Sequence, residues 1–147
     1  MRKSIVYGLI IGIISSFIIG FYLKWVEKYF QQKVYTLLLN IEYLPILKHY
    51  HFSEMIDFLF HTIVSIIIVI ILIIVIYKYR WTNRQIFIRT ILISLFIGVL
   101  IYPTTIFSEK TPEMTSLLAI SHWLIGHLLY GIALSLGFIF VKQRYSL

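Results

Sequence analysis

Hydrophobic residues in this chain form four long runs that are separated by short polar segments. The runs cover Ile5–Leu23, Met55–Tyr77, Ile86–Phe107 and Leu117–Val141. At about 1.5 Å per residue, a helix of any of these lengths can cross a hydrocarbon core roughly 30 Å thick. Transmembrane β-strands would be about half as long and would alternate in polarity. The pattern predicts an all-α membrane protein, a four-transmembrane-helix bundle in which residues 1–147 form a single membrane domain.

The composition supports a membrane protein and narrows its chemistry. Hydrophobic residues make up 60% of the chain and charged residues 13%, whereas soluble domains have about 45–50% and 25%. The chain has no cysteine, which excludes disulfides and thiolate metal sites. The net charge of +7 comes from basic residues at the ends of the apolar runs. This placement indicates contact with membrane lipid and does not favour nucleic acid as a partner.

The distribution of charge predicts the orientation of the bundle. Four spans place the N-terminus, the loop 78–84 and the C-terminal tail at one end. That end, including the start of the third run, has eight basic residues and no acidic residue, and the other end has five basic and six acidic residues. Lysine and arginine are enriched on the cytoplasmic side of membrane proteins. We therefore expect a multi-pass protein of the cell membrane with both termini in the cytoplasm.

Apolar residues recur at three- or four-residue steps between the first two runs. They are Val26, Phe30, Val34, Leu37 and Ile41. This spacing predicts an amphipathic helix that lies on the outer leaflet until Pro45 ends it. A shallow re-entrant hairpin over residues 34–47 is the alternative.

Local signals also predict where individual helices begin and end. Ser53 and Thr111 are suited to be N-caps, and Pro112 follows Thr111 at the first helical position. Pro103 should kink or end the third helix.

Small residues repeat every four positions along the first run. They are Gly8, Gly12, Ser16 and Gly20. Such a repeat forms a groove that allows another helix backbone to approach closely. The fourth run offers a matching surface in Gly131 and Ser135 and in Ala133 and Gly137. We expect internal packing of the bundle, with a homo-oligomer as the alternative use.

Ionisable residues inside the apolar runs are the candidate functional residues. Asp57 and His61 are four positions apart and share a helix face, His122 lies at a similar depth on the fourth run, and His127 lies deeper. Ionisable groups at such depth usually face the bundle interior and serve a function. We predict a proton or ligand site from Asp57, His61, His122 and His127, with additional groups above it. Those groups are His49, His51 or Glu54.

These residues can also be interpreted as structural. Each histidine could hydrogen-bond a neighbour and only stabilise packing. His122 and His127 are five positions apart, about 140° around a helix, so they do not form one chelating face. We predict no metal and no cofactor. The absence of a GxSxG motif and of a phosphate-binding glycine loop predicts that the chain is not an enzyme.

Several short segments resemble the YagU-like family of bacterial inner-membrane proteins. They are residues 8–15 (GLIIGIIS), 24–27 (KWVE), 61–65 (HTIVS), 102–103 (YP) and 126–128 (GHL). The resemblance implies a link to acid tolerance and implies no catalytic residue.

The sequence as a whole favours a non-enzymatic membrane protein of envelope stress or acid tolerance. It would act through helix contacts with a membrane-protein partner or a second copy, or through histidine protonation. Titrating His61 and His122 between about pH 5 and 7 would add positive charge near Asp57 and shift helix packing. The alternatives are a subunit of an oligomeric proton or cation transporter or channel, and an immunity or regulatory partner of another membrane protein.

Overall fold

A computed structural model describes residues 2–41, 46, 50 and 52–145, with side chains placed from residue 6 to residue 144 within those ranges. The elements are helices α1 (Arg2–Phe30), α2 (Val34–Leu39), α3 (Glu54–Lys78), α4 (Asn83–Ile101), a 3-10 helix (Tyr102–Phe107) and α5 (Leu117–Tyr145). Within this part of the chain there is no strand, and four helical segments are long and apolar enough to cross a membrane. The prediction of an all-helical protein with four candidate spans is confirmed.

The four long helices pack in an order that differs from their order in the chain. α1 packs against α3 and α5, and α4 packs against the other side of α5. α1 and α5 are therefore the central pair, and α3 and α4 lie on the flanks. Over the described residues, α3 and α4 make almost no contact with each other, although a short turn joins them. This arrangement leaves a gap between the two flanking helices.

The turn between α3 and α4 identifies one end of the bundle, which we call the Trp81 end. The Trp81 side chain is buried, and Lys142 donates a hydrogen bond of 2.6 Å to the Trp81 carbonyl. The Arg89 guanidinium lies 4.9 Å from the centre of the Trp81 ring, a cation–π contact. Thr82 and Gln85 cap α4 reciprocally through their side chains. These contacts tie α3, α4 and α5 together at this end.

The opposite end, which we call the α2 end, corrects the prediction of one amphipathic helix from residue 26 to residue 41. α1 continues to Phe30, seven residues beyond the predicted end at Leu23. Gln31 then adopts a left-handed backbone with φ of 55°, and the chain folds back into the short helix α2. Thr36 donates from its backbone nitrogen and its hydroxyl to the Glu27 carboxylate at 2.7 and 2.6 Å.

The apolar residues of this segment explain the fold-back. Val26, Val34 and Leu37 are buried in the bundle core. Val26 lies near the end of α1, and the other two residues lie in α2, so the reversal of the chain after Phe30 lets all three residues face the same core, which one straight helix would not. Pro45 lies outside the described residues, as do residues 42–44 and 47 of the alternative hairpin over residues 34–47.

The helix boundaries follow the local signals in part. α3 begins at Glu54 directly after Ser53, as predicted, although the Ser53 side chain makes no capping bond. α4 ends at Ile101, and Pro103 lies in the following 3-10 helix, as predicted.

The predicted N-cap at Thr111, with Pro112 at the first helical position, is wrong, whereas the predicted fourth span, Leu117–Val141, begins where the helix begins. α5 begins at Leu117, and Ser116 accepts a hydrogen bond of 3.3 Å from the Ala119 nitrogen. The Thr111 hydroxyl donates its one proton toward the carbonyls of Thr105 and Ser108, at 3.0 and 2.8 Å, and so binds the preceding loop.

The small residues of α1 face α3. A methyl group added at Gly8, Gly12 or Gly20 would meet α3 side chains, and Ser16 lies 3.3 Å from the Thr62 hydroxyl. The second span therefore fills this groove, and the expectation that the fourth span would do so is wrong. The glycines of α5 serve other contacts. Gly126 and Gly137 lie against α1, and Gly131 lies against α4.

We predict that Gly131→Val weakens the bundle. A Cβ atom at this position would lie 3.0 Å from the Ile91 Cα atom and 3.0 Å from the Ser94 Cβ atom, so the α4 backbone would have to move. Overpacking of this kind costs about 1–3 kcal/mol. The measurement is the midpoint of thermal unfolding in detergent.

The matched control for Gly131→Val is Leu136→Phe. Leu136 lies on the same helix but is 55% exposed, so the added volume meets lipid or detergent. Equal midpoints for Gly131→Val and the unmodified protein would contradict the close contact between α4 and α5.

Candidate functional site

A cavity of about 190 Å³ lies between α3 and α4, with α1 and α5 behind it. It is far larger than the roughly 10–15 Å³ that one water molecule requires. Most of its wall is apolar, and its polar groups are few. They belong to Asn40, Asp57, His61, Ser65, Ser94, His127 and Tyr130. A cavity with this lining has the general character of a ligand site, an apolar pocket with a few converging polar groups.

Asp57 and His61 lie one turn apart on α3, and both line the cavity. The Oδ1 atom of Asp57 and the Nε2 atom of His61 are buried, and no group in the described part of the chain hydrogen-bonds to them. A buried polar atom without a partner costs about 1–3 kcal/mol. These two atoms are therefore the strongest local indication that the cavity takes up a proton or a ligand.

His127 reaches the same cavity from α5. Its Nδ1 atom lies 3.1 Å from the Trp123 carbonyl, which can only accept, so Nδ1 carries the proton in this contact. In the neutral ring, Nε2 is then free of hydrogen. The His127 ring centre lies 4.5 Å from the Trp123 ring centre.

Gly98 on α4 makes room for the His127 ring. A Cβ atom at this position would lie 2.7 Å from the His127 Cγ atom. The Gly98 carbonyl also accepts a hydrogen bond of 2.8 Å from the Trp123 indole. The position of the histidine therefore depends on a residue without a side chain on the neighbouring helix.

Hydrogen-bonded hydroxyls close the cavity toward the Trp81 end. Ser65 donates to the Gly12 carbonyl at 3.0 Å, so Tyr130 donates to the Ser65 oxygen at 2.8 Å. Ser94 donates to the His127 carbonyl at 2.6 Å. Beyond this floor, the buried residues of α3 are aliphatic. They are Val69, Leu72, Ile73 and Ile76.

The sequence contains no acidic residue and no histidine that could continue a path beyond the floor. Residues 1–26, 66–108 and 128–147 contain no Asp, Glu or His. The acidic residues and histidines are all in the half of the bundle at the α2 end or in the segments that flank it.

A second cavity, which we call the vestibule, lies at the α2 end and measures about 280 Å³. It shares Asn40, Ile41 and Asp57 with the first cavity, and Glu54 and Lys110 also line it. Asp57 therefore lies where the two spaces meet. We expect the vestibule to give the buried site its access from the α2 end.

An ion pair between Lys24 and Glu54 lies beside the vestibule. The two side chains are 55% and 57% exposed, so the pair contributes little to stability. Tyr35 donates to the same Glu54 oxygen at 3.0 Å. Burial, together with this hydrogen bond to the carboxylate, raises the pKa of the Tyr35 hydroxyl above its ordinary value. The tyrosine therefore stays protonated at physiological pH.

The structure brings Asp57, His61 and His127 together and places His122 elsewhere. The Nδ1 atom of His122 lies 2.9 Å from the Tyr22 hydroxyl, and its ring packs 4.9 Å from the Phe30 ring. The prediction that His122 shares the site is wrong, because α5 turns this face toward α1 and the face of His127 toward the cavity. His49 and His51 lie outside the described residues.

Sequence reasoning also missed four polar residues of the cavity, which are Asn40, Ser65, Ser94 and Tyr130. Ser65 is four positions after His61 and eight after Asp57, so the same helical spacing that paired those residues would have included it. No comparable signal marks Tyr130, because its place depends on how α5 packs.

The described residues contain no group of three or more His, Asp and Glu side chains that could hold a metal ion. Comparison with protein-family models, with curated proteins and with solved structures finds no match to this chain. The resemblance to the YagU-like family therefore stays a prediction, and the site must be interpreted from its own geometry.

We predict that a cysteine at position 61 is reached from the α2 end, whereas a cysteine at position 72 is not. The natural chain has no cysteine, so each variant carries a single thiol. His61 lines the cavity that meets the vestibule, and Leu72 lies beyond the floor and is 5% exposed. The measurement is the rate of modification of His61→Cys and Leu72→Cys by a small, charged, membrane-impermeant methanethiosulfonate. Equal rates would contradict the route through the vestibule.

Proposed function

We propose that this protein is a non-enzymatic, multi-pass protein of the cell membrane that responds to acid on the outer side of the membrane. The observation that carries the proposal is the position of Asp57, His61 and His127 in one cavity that meets the vestibule at one end and is closed at the other. The resemblance to a family linked to acid tolerance supports the same role.

The orientation in this proposal comes from charge. The Trp81 end carries eight basic residues and no acidic residue, which supports a cytoplasmic position for it and for both termini. The α2 end and its vestibule then face the outside. Protons that enter the vestibule meet Glu54 and Asp57 before they reach the histidines.

Protonation would change the charge balance of the cavity. In the described part of its lining, Asp57 is the one carboxylate and there is no Lys or Arg, and Glu54 and Lys110 line the vestibule above it. A first proton on His61 or His127 would be compensated by Asp57. A second would leave unbalanced positive charge between α3 and α5, where water screens it poorly.

The packing suggests which helix would respond. α3 contacts α1 but makes almost no contact with α4 over the described residues, so α3 can move away from the cavity without breaking an interface with α4. A shift of α3 would alter the surface that the protein presents to a membrane-protein partner or to a second copy. Both kinds of partner belong to the proposal.

The same observations make a complete proton or cation path a weaker proposal. A transporter needs access from both sides, and intramembrane ionisable groups mark such paths. No Asp, Glu or His occurs in residues 66–93 or 128–145, the segments that lie between the cavity floor and the Trp81 end.

We predict that acidification quenches the fluorescence of Trp123. The chain has three tryptophans, and Trp25→Phe with Trp81→Phe leaves Trp123 as the one indole. A protonated imidazole quenches an indole more strongly than a neutral one does, and the two rings are 4.5 Å apart. Emission of the purified protein should therefore fall reversibly between about pH 8 and pH 5.

His127→Gln in the same background should abolish this fall, and His122→Gln, which removes a histidine outside the cavity, should retain it. An unchanged emission over this pH range, or an equal fall in His127→Gln, would overturn the proposal.

A further inference from the structure

The charge of the cavity determines which ligands it can hold. Among the described residues that line it, Asp57 is the one carboxylate and none is Lys or Arg, and the nearest lysine described is Lys110 on the vestibule that Asp57 also lines. The Asp57 Oδ1 atom is buried without a partner in the described part of the chain. A buried charge is stabilised by an opposite charge, so with neutral histidines the cavity favours a cation and disfavours an anion.

The walls of the cavity indicate the chemical class of that cation. Phe60, Trp123 and Tyr130 contribute aromatic rings. The face of an aromatic ring attracts quaternary ammonium groups. Most of the remaining wall is aliphatic, from residues such as Ile63, Ile68 and Ile97. Aliphatic walls offer nothing to the hydration shell of an inorganic ion but suit the carbon substituents of an organic one.

We propose that the cavity between α3 and α4 binds a small lipophilic organic cation, with Asp57 as its counter-charge and with aromatic and aliphatic side chains along the walls that enclose it. A metal ion would need more ligands than the cavity supplies, since no group of three or more His, Asp and Glu residues is assembled in the described part of the chain. The ligand class is therefore an ammonium compound with apolar substituents and a volume that fits about 190 Å³.

The ligand and the proton oppose each other in this site. His61 and His127 share the lining with Asp57, so their protonation places positive charge beside the bound cation. Glu54 and Lys110 face the site from the vestibule. Because linkage is reciprocal, acid weakens cation binding and the cation weakens proton uptake by the same factor. This linkage rests on the proposed function, whereas the cation site itself does not.

The test is binding of benzyltrimethylammonium to the full-length protein in lipid nanodiscs, measured by calorimetry at about pH 8. Its neutral carbon analogue, neopentylbenzene, has the same shape and no charge, and empty nanodiscs measure partition into lipid. The expected result is saturable binding of the cation, about tenfold tighter than any binding of the analogue. Absence of saturable cation binding, or equal affinity for the two compounds, would overturn the proposal without any variant being needed.

Two substitutions at Asp57 test the counter-charge. Asp57→Asn should weaken cation binding about tenfold or more, and Asp57→Glu should retain it. His122→Gln is the matched control, because His122 lies on α5 at a similar depth but contacts Tyr22 outside the cavity. Full affinity in a folded Asp57→Asn protein would overturn the assignment of Asp57.

The linkage between proton uptake and cation binding is tested by a separate measurement. Cation affinity should fall between about pH 8 and pH 5, and His61→Gln combined with His127→Gln should remove that fall. Binding that does not depend on pH overturns the linkage and leaves the cation site standing. The ligand-free quenching of Trp123 reports the proton response separately.

Discussion

The contact between α1 and α5 is the constraint on which the rest of this structure depends. Two glycines of α5, Gly126 and Gly137, lie directly against α1 side chains. Lipid tails are as apolar as leucine, so close packing of this kind holds helices together inside a membrane where hydrophobic burial cannot. With α1 and α5 as the central pair, α3 and α4 are held on the flanks. The cavity exists because the flanking helices pack inward and not against each other.

The position of α3 and α4 on the flanks also explains how polar groups are accommodated in so apolar a chain. Hydrocarbon cannot satisfy a hydrogen-bonding group, so such groups must face protein or a water-accessible space. Ser65, Tyr130 and Ser94 satisfy one another or backbone carbonyls at the floor of the cavity. Asp57 and His61 lie above this network and keep unpaired atoms. The structure thus separates polar groups that hold the fold from polar groups that remain available.

The spans could be predicted from the sequence because the thickness of a bilayer sets their length and composition. The fold-back at Gln31 could not be predicted from the sequence. It depends on the hydrogen bonds from Thr36 to Glu27 and on a core that only the assembled bundle provides. The pair of Asp57 and His61 followed from helical spacing alone. Helical spacing could not show which of His122 and His127 lines the cavity. Spacing shows that these two histidines point in different directions, but the neighbour that each meets depends on how α5 packs.

Gly98 has a consequence for the dimensions of the cavity. The His127 imidazole leans into the space that a side chain at position 98 would occupy, so α4 accommodates the ring on its own surface. A side chain in that recess would displace the His127 ring into the cavity, and the volume of the cavity would decrease. The usable width of the chamber is thus governed from the far helix, by the absence of a single methyl group. In proteins of the same architecture, the size of the residue at this position would set the width of the cavity without altering any residue that bears charge.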